Sequence, residues 1–436
     1  MDALDYDVVV VGAGLGGLST GLHLQGQGLR VALLERLARV GGLCGTYRHH
    51  GHEFVIACND FGLGIRKFCR ALDLPLQFQK CRTQVHYRGR VFTMPPKAST
   101  VFRLSRHWAD IRTYLKALSG ARADGYSRTP DLQSLVDGAV RAPELRDLLK
   151  LPAYLMGITP SRFRVDALHD ELQFGYGYWQ PMSPKGGPQH VADTLAEQFV
   201  QRGGTLLLQT EYRGWEPLTG CKRVLTSRGE LHCRNLVSTQ EQPDCYPEHL
   251  ERGLPISVCG LVLDAAFSFP RKIHTCIYYP PGISEWSEAL YRGKSPPEFG
   301  FHIFKSDLPA NESSSTANVY FYLPKGVQSL SGTEEKLLEA YLLHRLEHML
   351  PGIQSAVKDL HFVLPEEFSA RHQLNGRVMP VITPTGFTKP NNYHAQSGLY
   401  FAGASAWPPG DHAGAALRSG QAVASLIKET EKLPCV

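Results

Sequence analysis

"VVVVGAGLGGLSTGLHLQGQGLRVALLER", residues 8–36, decides the fold. The apolar run 8–11 is short, β-branched and uninterrupted, the pattern of a strand buried on both faces. Gly12, Gly14 and Gly17 then form G-x-G-x-x-G, with an additional glycine at Gly16. In this motif the first glycine permits a tight turn, and the second lets a pyrophosphate approach the backbone. The third lets the following helix pack on the strand. Amides at that helix N-terminus face the phosphates. A second strand, 29–34, ends in Glu35, 21 residues after Gly14 and close to the spacing expected of a ribose-binding acid. Strand, turn, helix, strand and acid in this order predict a dinucleotide site. NAD and FAD both fit. Glu35 disfavours NADP, because a carboxylate repels a 2′-phosphate, although the neighbouring Arg36 softens that exclusion.

The 436 residues exceed what one compact domain usually holds, so two domains are expected. A chain 43% hydrophobic and 20% charged has the balance of a soluble protein. No apolar run approaches the ~20 residues of a membrane span. The acidic start "MDALDYD" enters the first strand directly, so no secretory signal is expected. Ten cysteines are scattered without C-x-x-C pairs or metal-ligand spacing. They read as reduced thiols of a cytoplasmic protein. A net charge of +5 is too small to indicate a nucleic-acid partner.

Three further segments matter. "ERLARVGGLCGTYRHHGHEFVIACNDFG", from Glu35, brings Gly41 and Gly42 shortly after the acid and then a strand-like stretch. "PKGGPQHVADTLAEQFVQRGGTLLLQTEYRGW", from Pro184, places Val191, Leu195 and Phe199 on one helix face and ends that helix at Gly203 and Gly204. A strand over 205–210 and a hairpin around Arg228 and Gly229 follow. "SGLYFAGASAWPPGDHAGAALRSGQAVASLI", from Ser397, reads as a buried strand over 399–402 and a turn at Gly403. A helix over 414–427 then faces its N-terminus to that turn.

Together these residues resemble the FAD-dependent superfamily of phytoene desaturases, carotenoid isomerases, retinol saturase and flavin amine oxidases. The resemblance covers residues 5–62, 184–240 and 366–430: the dinucleotide fingerprint with its "ER…GG…G" extension, the "PKGG…LA…GG" segment, and the "LYFAG…PG…GA…SG" closure. It implies an α/β fold, with a Rossmann-like FAD-binding domain of the two-dinucleotide-binding-domain type. That domain, residues 1–70, 184–250 and 366–436, is interleaved with a substrate domain of mixed sheet and helices, residues 71–183 and 251–365. It implies FAD as cofactor, held by Gly12, Gly14, Gly16, Gly17, Glu35, Arg36, Gly41, Gly42, Gly403, Ala404, Gly410, His412 and Ala413. There are two departures. "FVIACND" stands where many desaturases read phenylalanine-aspartate-x-glycine-proline, so residues 57–60 fall where the family approaches the flavin ring. His412 stands near the tyrosine that amine oxidases use in an aromatic cage, which puts simple amine oxidation in doubt.

Between these blocks, residues 97–118 read as a basic amphipathic helix, with Phe102, Trp108, Ile111, Leu115 and Leu118 set against Lys97, Arg103, Arg106, Arg112 and Lys116. It either packs on a core or meets a membrane surface through which a lipophilic substrate enters. A helix over 333–350 is expected to be capped by Thr333 and ended by Pro351 and Gly352. Strand-like runs at 256–263, 273–279, 299–304 and 318–323 suggest the floor of a substrate pocket. Asn59, Asp60, Tyr278, Phe301, Tyr320, Tyr322 and Trp407 are the candidate lining residues, each with the alternative of plain core packing.

A flavin takes a hydride from a C–H bond held against its ring, and the protein supplies orientation, dryness and sometimes a base. His412, paired with Asp411, is the candidate base, since an unperturbed imidazole titrates near neutrality. The alternative is that this pair only shapes the turn. Asn59 and Asp60 come next. The reading that results is dehydrogenation of an apolar or aromatic small molecule by an FAD enzyme. The alternatives are oxidation of an amine or amide to an imine, reduced-flavin isomerisation of a polyene, and a flavin-free binding protein like the Rab GDP-dissociation inhibitors.

Overall fold

The computed structural model describes residues 4–123, 125, 131–168, 179–240, 253–308, 314–372, 389–408 and 412–431. The opening strand, Tyr6–Val11, lies in the middle of an eight-stranded sheet. It pairs in parallel with Val31–Leu34 on one side and Gly229–Ser238 on the other. Its Val8, Val9, Val10 and Val11 are all buried, as an uninterrupted apolar strand between two layers must be. Thr205–Leu207 extends the sheet beyond Val31–Leu34, again in parallel. The strand Gly229–Ser238 changes neighbours along its length. Its first half closes an antiparallel meander with Tyr212–Leu218 and Cys221–Thr226. Its last two residues pair in parallel with Tyr400 and Phe401, which arrive from the far end of the chain.

Helix Leu15–Gln25 packs between this sheet, helix Gly187–Gln201 and the last helix, Ala413–Glu431. Val191, Leu195 and Phe199 are buried in that layer, as their four-residue spacing predicts. The strand after it is shorter than expected, Thr205–Leu207. The stretch expected as one strand over 45–56 is a hairpin, Thr46–His49 paired with His52–Val55.

A second, seven-stranded sheet runs in the spatial order Val357–Val363, Ile256–Asp264, Ser314–Tyr322, Phe301–Lys305, Ile273–Tyr278, Arg82–Tyr87, Arg90–Met94. Only the pair Ile273–Tyr278 with Arg82–Tyr87 is parallel. Helix Gly332–Met349 covers one face, burying Leu338, Leu342, Leu346 and Met349 against the sheet. Its cap is Ser331 rather than the expected Thr333. Ser331 and Glu334 form a reciprocal capping box. Residues 97–118 are not one helix but two, Ala98–Ser105 and Trp108–Ala123. The second rests on a helical cluster built by Leu132, Leu135, Val136 and Phe163.

Asp147 ties that helical cluster to the sheet. Its Oδ2 accepts from Tyr87 Oη at 2.6 Å and from the Gly282 amide at 2.9 Å, the N-cap of helix Ile283–Tyr291. Its carbonyl accepts from Tyr279 Oη at 2.6 Å. Asp147→Ala strands a phenol and a helix-end amide together. Urea denaturation is expected to show a loss of about 2–4 kcal/mol, at the upper end for charge-assisted hydrogen bonds. A loss under about 0.5 kcal/mol, the range of ordinary surface substitutions, counts against this role.

Candidate active site

The four glycines of the opening turn answer to different constraints. A Cβ on Gly12, whose φ is +97°, would lie 2.1 Å from Thr239 Oγ1. A Cβ on Gly17 would lie 2.0 Å from the Gly12 carbonyl oxygen, and one on Gly16 would lie 2.6 Å from Gly403 Cα. Protein packing alone therefore demands glycine at 12, 16 and 17. At Gly14 the nearest atom to a Cβ would be the Gly41 oxygen at 3.9 Å, and φ −75°, ψ 179° suit any residue. Among the described residues nothing in the packing requires glycine there. Gly14 is also the N-cap of helix Leu15–Gln25, and no side chain caps that helix. Uncapped amides beside an open glycine fit a pyrophosphate.

Glu35 is buried at the end of its strand. Its Oε2 accepts from the Ala13 amide at 3.0 Å and its Oε1 from the Leu37 amide at 2.9 Å. The carboxylate is thus fixed inside the turn and keeps lone pairs for ribose hydroxyls. Arg36 turns away, donating to the Arg371 carbonyl at 3.1 Å. Gly41 bridges to Gly14, and its amide donates to the Ala13 carbonyl at 2.9 Å. Gly41 and Gly42 take φ of +120° and +53°, in the region that favours glycine. Gln189, on helix Gly187–Gln201, braces this extension by donating to the Val40 carbonyl and accepting from the Thr46 amide.

The closing segment meets the opening turn at Gly16 and Gly403. Ser419 Oγ accepts from the Gly403 amide at 3.1 Å. Asn392 donates to the Phe401 and Trp407 carbonyls and to Ser419 Oγ, so one buried amide organises the turn. Lys389, also buried, donates to the Ala404 carbonyl. Trp407 is 40% exposed. Ala413 begins the last helix. His412 Nδ1 accepts from the Ala415 amide at 3.3 Å, in the manner of a helix cap. Burial, helped by the Lys389 and Arg418 cations, pushes the imidazole down to about 3. This low basicity, with Nδ1 engaged in the cap, points away from the general-base role expected from sequence. Gly410 and Asp411 lie outside the described residues.

The segment 57–60 joins the cofactor turn to the second sheet. Leu43, directly after Gly41 and Gly42, accepts from the Ala57 and Cys58 amides at 3.2 Å. Asn59 Nδ2 donates to Tyr320 Oη at 2.7 Å, and His274 Nε2 donates to the Asn59 carbonyl at 2.9 Å. His274 Nδ1 lies 3.4 Å from Asp307 Oδ2. Beside them, Asp60 Oδ2 is buried with no hydrogen-bond partner among the described residues. Burial lifts the Asp60 carboxyl to about 6, and nearby His274 pulls in the opposite direction.

Tyr320 meets the segment through that hydrogen bond. Tyr278 and Phe301 do not: they stack on each other at 5.3 Å on the face covered by helix Gly332–Met349. Successive strand residues alternate faces, and these two point away from residues 57–60. Tyr322 is fully buried, donating to the Leu155 carbonyl at 2.8 Å and packing against Gly157, so it serves the core. Sequence reading missed His274, Asp307, Thr239 and Asn392. None carries a local signal, because each acts on a residue remote in sequence or on a turn defined only by the fold.

Residues 7–240 match the DAO family, FAD dependent oxidoreductase. The chain is 21% identical to the phytoene desaturase (neurosporene-forming) of Rhodobacter capsulatus, across 97% of this chain and 94% of the relative. Among solved structures, an oxidoreductase from Methanosarcina mazei shares the fold with a TM-score of 0.67 at 16% identity, covering 96% of this chain and 99% of the other. Cyclohexylamine oxidase from Brevibacterium oxydans does so with a TM-score of 0.64 at 14% identity, covering 98% and 100%.

Gly14→Val and Gly17→Val separate cofactor contact from packing. Gly14→Val is expected to keep the melting temperature of the cofactor-free protein while flavin absorbance per chain falls roughly tenfold or more. Gly17→Val is expected to lower the melting temperature even without cofactor. Full flavin content in folded Gly14→Val protein contradicts the assignment of Gly14.

Proposed function

The chain belongs to the FAD dependent oxidoreductase family, and from that premise we propose that it dehydrogenates an apolar or aromatic small molecule with Asp60 as the base. FAD, when bound, accepts the hydride that leaves the substrate carbon. One observation carries the reading: the backbone runs from Gly14 through Gly41 and Leu43 to residues 57–58, and ends at Asp60, whose Oδ2 is buried with no hydrogen-bond partner among the described residues. A C–H bond broken as hydride leaves a neighbouring proton to be removed. A carboxyl poised near 6 is ionised at neutral pH and basic enough to take that proton. Asn59 and Tyr320 hold the segment in place, and His274 with Asp307 anchors its backbone. Gly12, Gly14, Gly16, Gly17, Glu35, Gly41, Gly42, Gly403, Ala404 and Ala413 would line the cofactor. His412 would act there as a neutral cap. The division into a cofactor domain and a substrate domain belongs to the same proposal.

A second reading, oxidation of an amine, draws on the same carboxyl, which when ionised suits an ammonium group. Anaerobic bleaching of the flavin against amines and polyenes separates the two. In wild type, flavin reduction is expected to rise with pH through a midpoint near 6, as the Asp60 carboxylate forms. Asp60→Asn should remove that limb and slow reduction by about 10²–10⁴-fold. His412→Ala should slow it far less. Unchanged reduction in Asp60→Asn refutes the assignment.

We further propose that a lipophilic substrate enters through a membrane contact. No described helix is long and apolar enough to cross a bilayer. Yet Val101, Phe102, Trp108 and Leu115 are 53–81% exposed on the two consecutive helices, with Lys97, Arg112 and Lys116 exposed among them. Basic and apolar side chains on one exposed surface suit an anionic lipid surface. Co-sedimentation with anionic vesicles is expected at low salt, weaker at high salt and lost in Phe102→Asp. No binding at low salt leaves these helices as scaffold.

A further inference from the structure

The hairpin Thr46–His49 and His52–Val55 turns through His50 and Gly51, whose φ of +46° and +81° are the pair of left-handed residues that a two-residue turn requires. On a regular strand, His49 and His50 would point to opposite faces. The left-handed His50 brings the rings together instead, with centroids 4.0 Å apart. Opposite them runs Val357–Val363, the edge strand of the seven-stranded sheet. Its Asp359 places Oδ2 3.0 Å from His50 Nδ1. Its His361 stacks on His49 at 3.8 Å, and the His361 Nε2 is held 2.9 Å from Tyr47 Oη. The stack fixes the plane of His49.

One ligand atom each from His49, His50 and Asp359 lies within 4.8 Å of the others. Tetrahedral coordination with bonds near 2.0–2.2 Å needs ligand atoms roughly 3.3–3.5 Å apart. His50 and Asp359 side chains are 71% and 38% exposed and already lie 3.0 Å apart, which leaves them room to rotate toward a shared ion. Two imidazole nitrogens and one carboxylate oxygen suit a borderline divalent ion and not the all-oxygen shells of Ca²⁺ or Mg²⁺. Three protein ligands leave a fourth position for water.

We propose that His49, His50 and Asp359 bind one divalent late transition-metal ion of the Zn²⁺ type. The ion would pin the hairpin to the edge of the second sheet. The hairpin continues directly into residues 56–60, so the ion would also hold the approach to Asn59 and Asp60. The sequence concealed these ligands because two are adjacent and the third lies 309 residues from His50.

The test titrates EDTA-stripped holoprotein with Zn²⁺ by calorimetry. One equivalent is expected to bind, with its dissociation constant raised on the order of tenfold or more in His50→Asn and again in Asp359→Asn. Asparagine tolerates the left-handed backbone at 50, so the hairpin survives the substitution. The melting temperature should rise with Zn²⁺ in wild type and not in either variant. Equal affinity in wild type and variants, no one-equivalent binding in wild type, or tighter binding of Ca²⁺ than of Zn²⁺ overturns the proposal.

Discussion

The contact between Gly16 and Gly403 sets the rest of the architecture. A methyl group at position 16 would sit 2.6 Å from the Gly403 Cα, so no other residue type allows this approach. The last helix, Ala413–Glu431, repeats the tactic from its own side, where a Cβ on Gly420 would lie 2.5 Å from the Gly16 carbonyl oxygen. Two bare backbones meeting this closely place the final helix directly alongside the first. Ser19 then reaches the Leu417 carbonyl at 2.7 Å, and Asn392 and Ser419 fill the hydrogen bonds of the closing turn. A side chain at Gly16 or Gly420 would push the C-terminal segment off this contact.

From that seam the polar groups divide by electrostatic environment. His412 and Asp60 are both withdrawn from water, and in both burial disfavours the charged form. For a histidine the result is an imidazole that remains neutral across the physiological range. For an aspartate the result is a carboxyl whose ionisation moves up toward neutrality. The same physical cause therefore lowers the pKa of one group and raises that of the other. Neutral His412 suits a helix cap next to the Lys389 and Arg418 cations, where an imidazolium would be repelled.

Legibility in the sequence followed the range of the interaction. The burial of Val191, Leu195 and Phe199, and of Leu338, Leu342 and Leu346, follows from spacing alone, because one helix face is a local property. Glu35 was legible in position, but its grip on the Ala13 amide depends on the turn being folded. Tyr278 and Phe301 were misplaced because a strand has two faces, and only the docking of Gly332–Met349 decides which is covered. A register shift between Ile273 and Thr275 breaks the alternation just where His274 must face Asn59. Thr239 donates to the Val11 carbonyl across 228 positions, a contact with no local trace.

The late arrival of Leu399–Phe401 in the first sheet has a bearing on synthesis. A chain leaving the ribosome N-terminus first can assemble the meander and the three parallel strands around Tyr6–Val11 early. The flank of Gly229–Ser238 that awaits Tyr400 and Phe401 then stays an open edge while some 160 further residues are made. Those intervening residues supply five of the seven strands of the second sheet. The nascent first sheet thus carries an unpaired edge and a half-formed nucleotide groove throughout, the period in which aggregation competes with folding. Gly16 and Gly403 face each other only after both have been synthesised, so the turn they share is completed late.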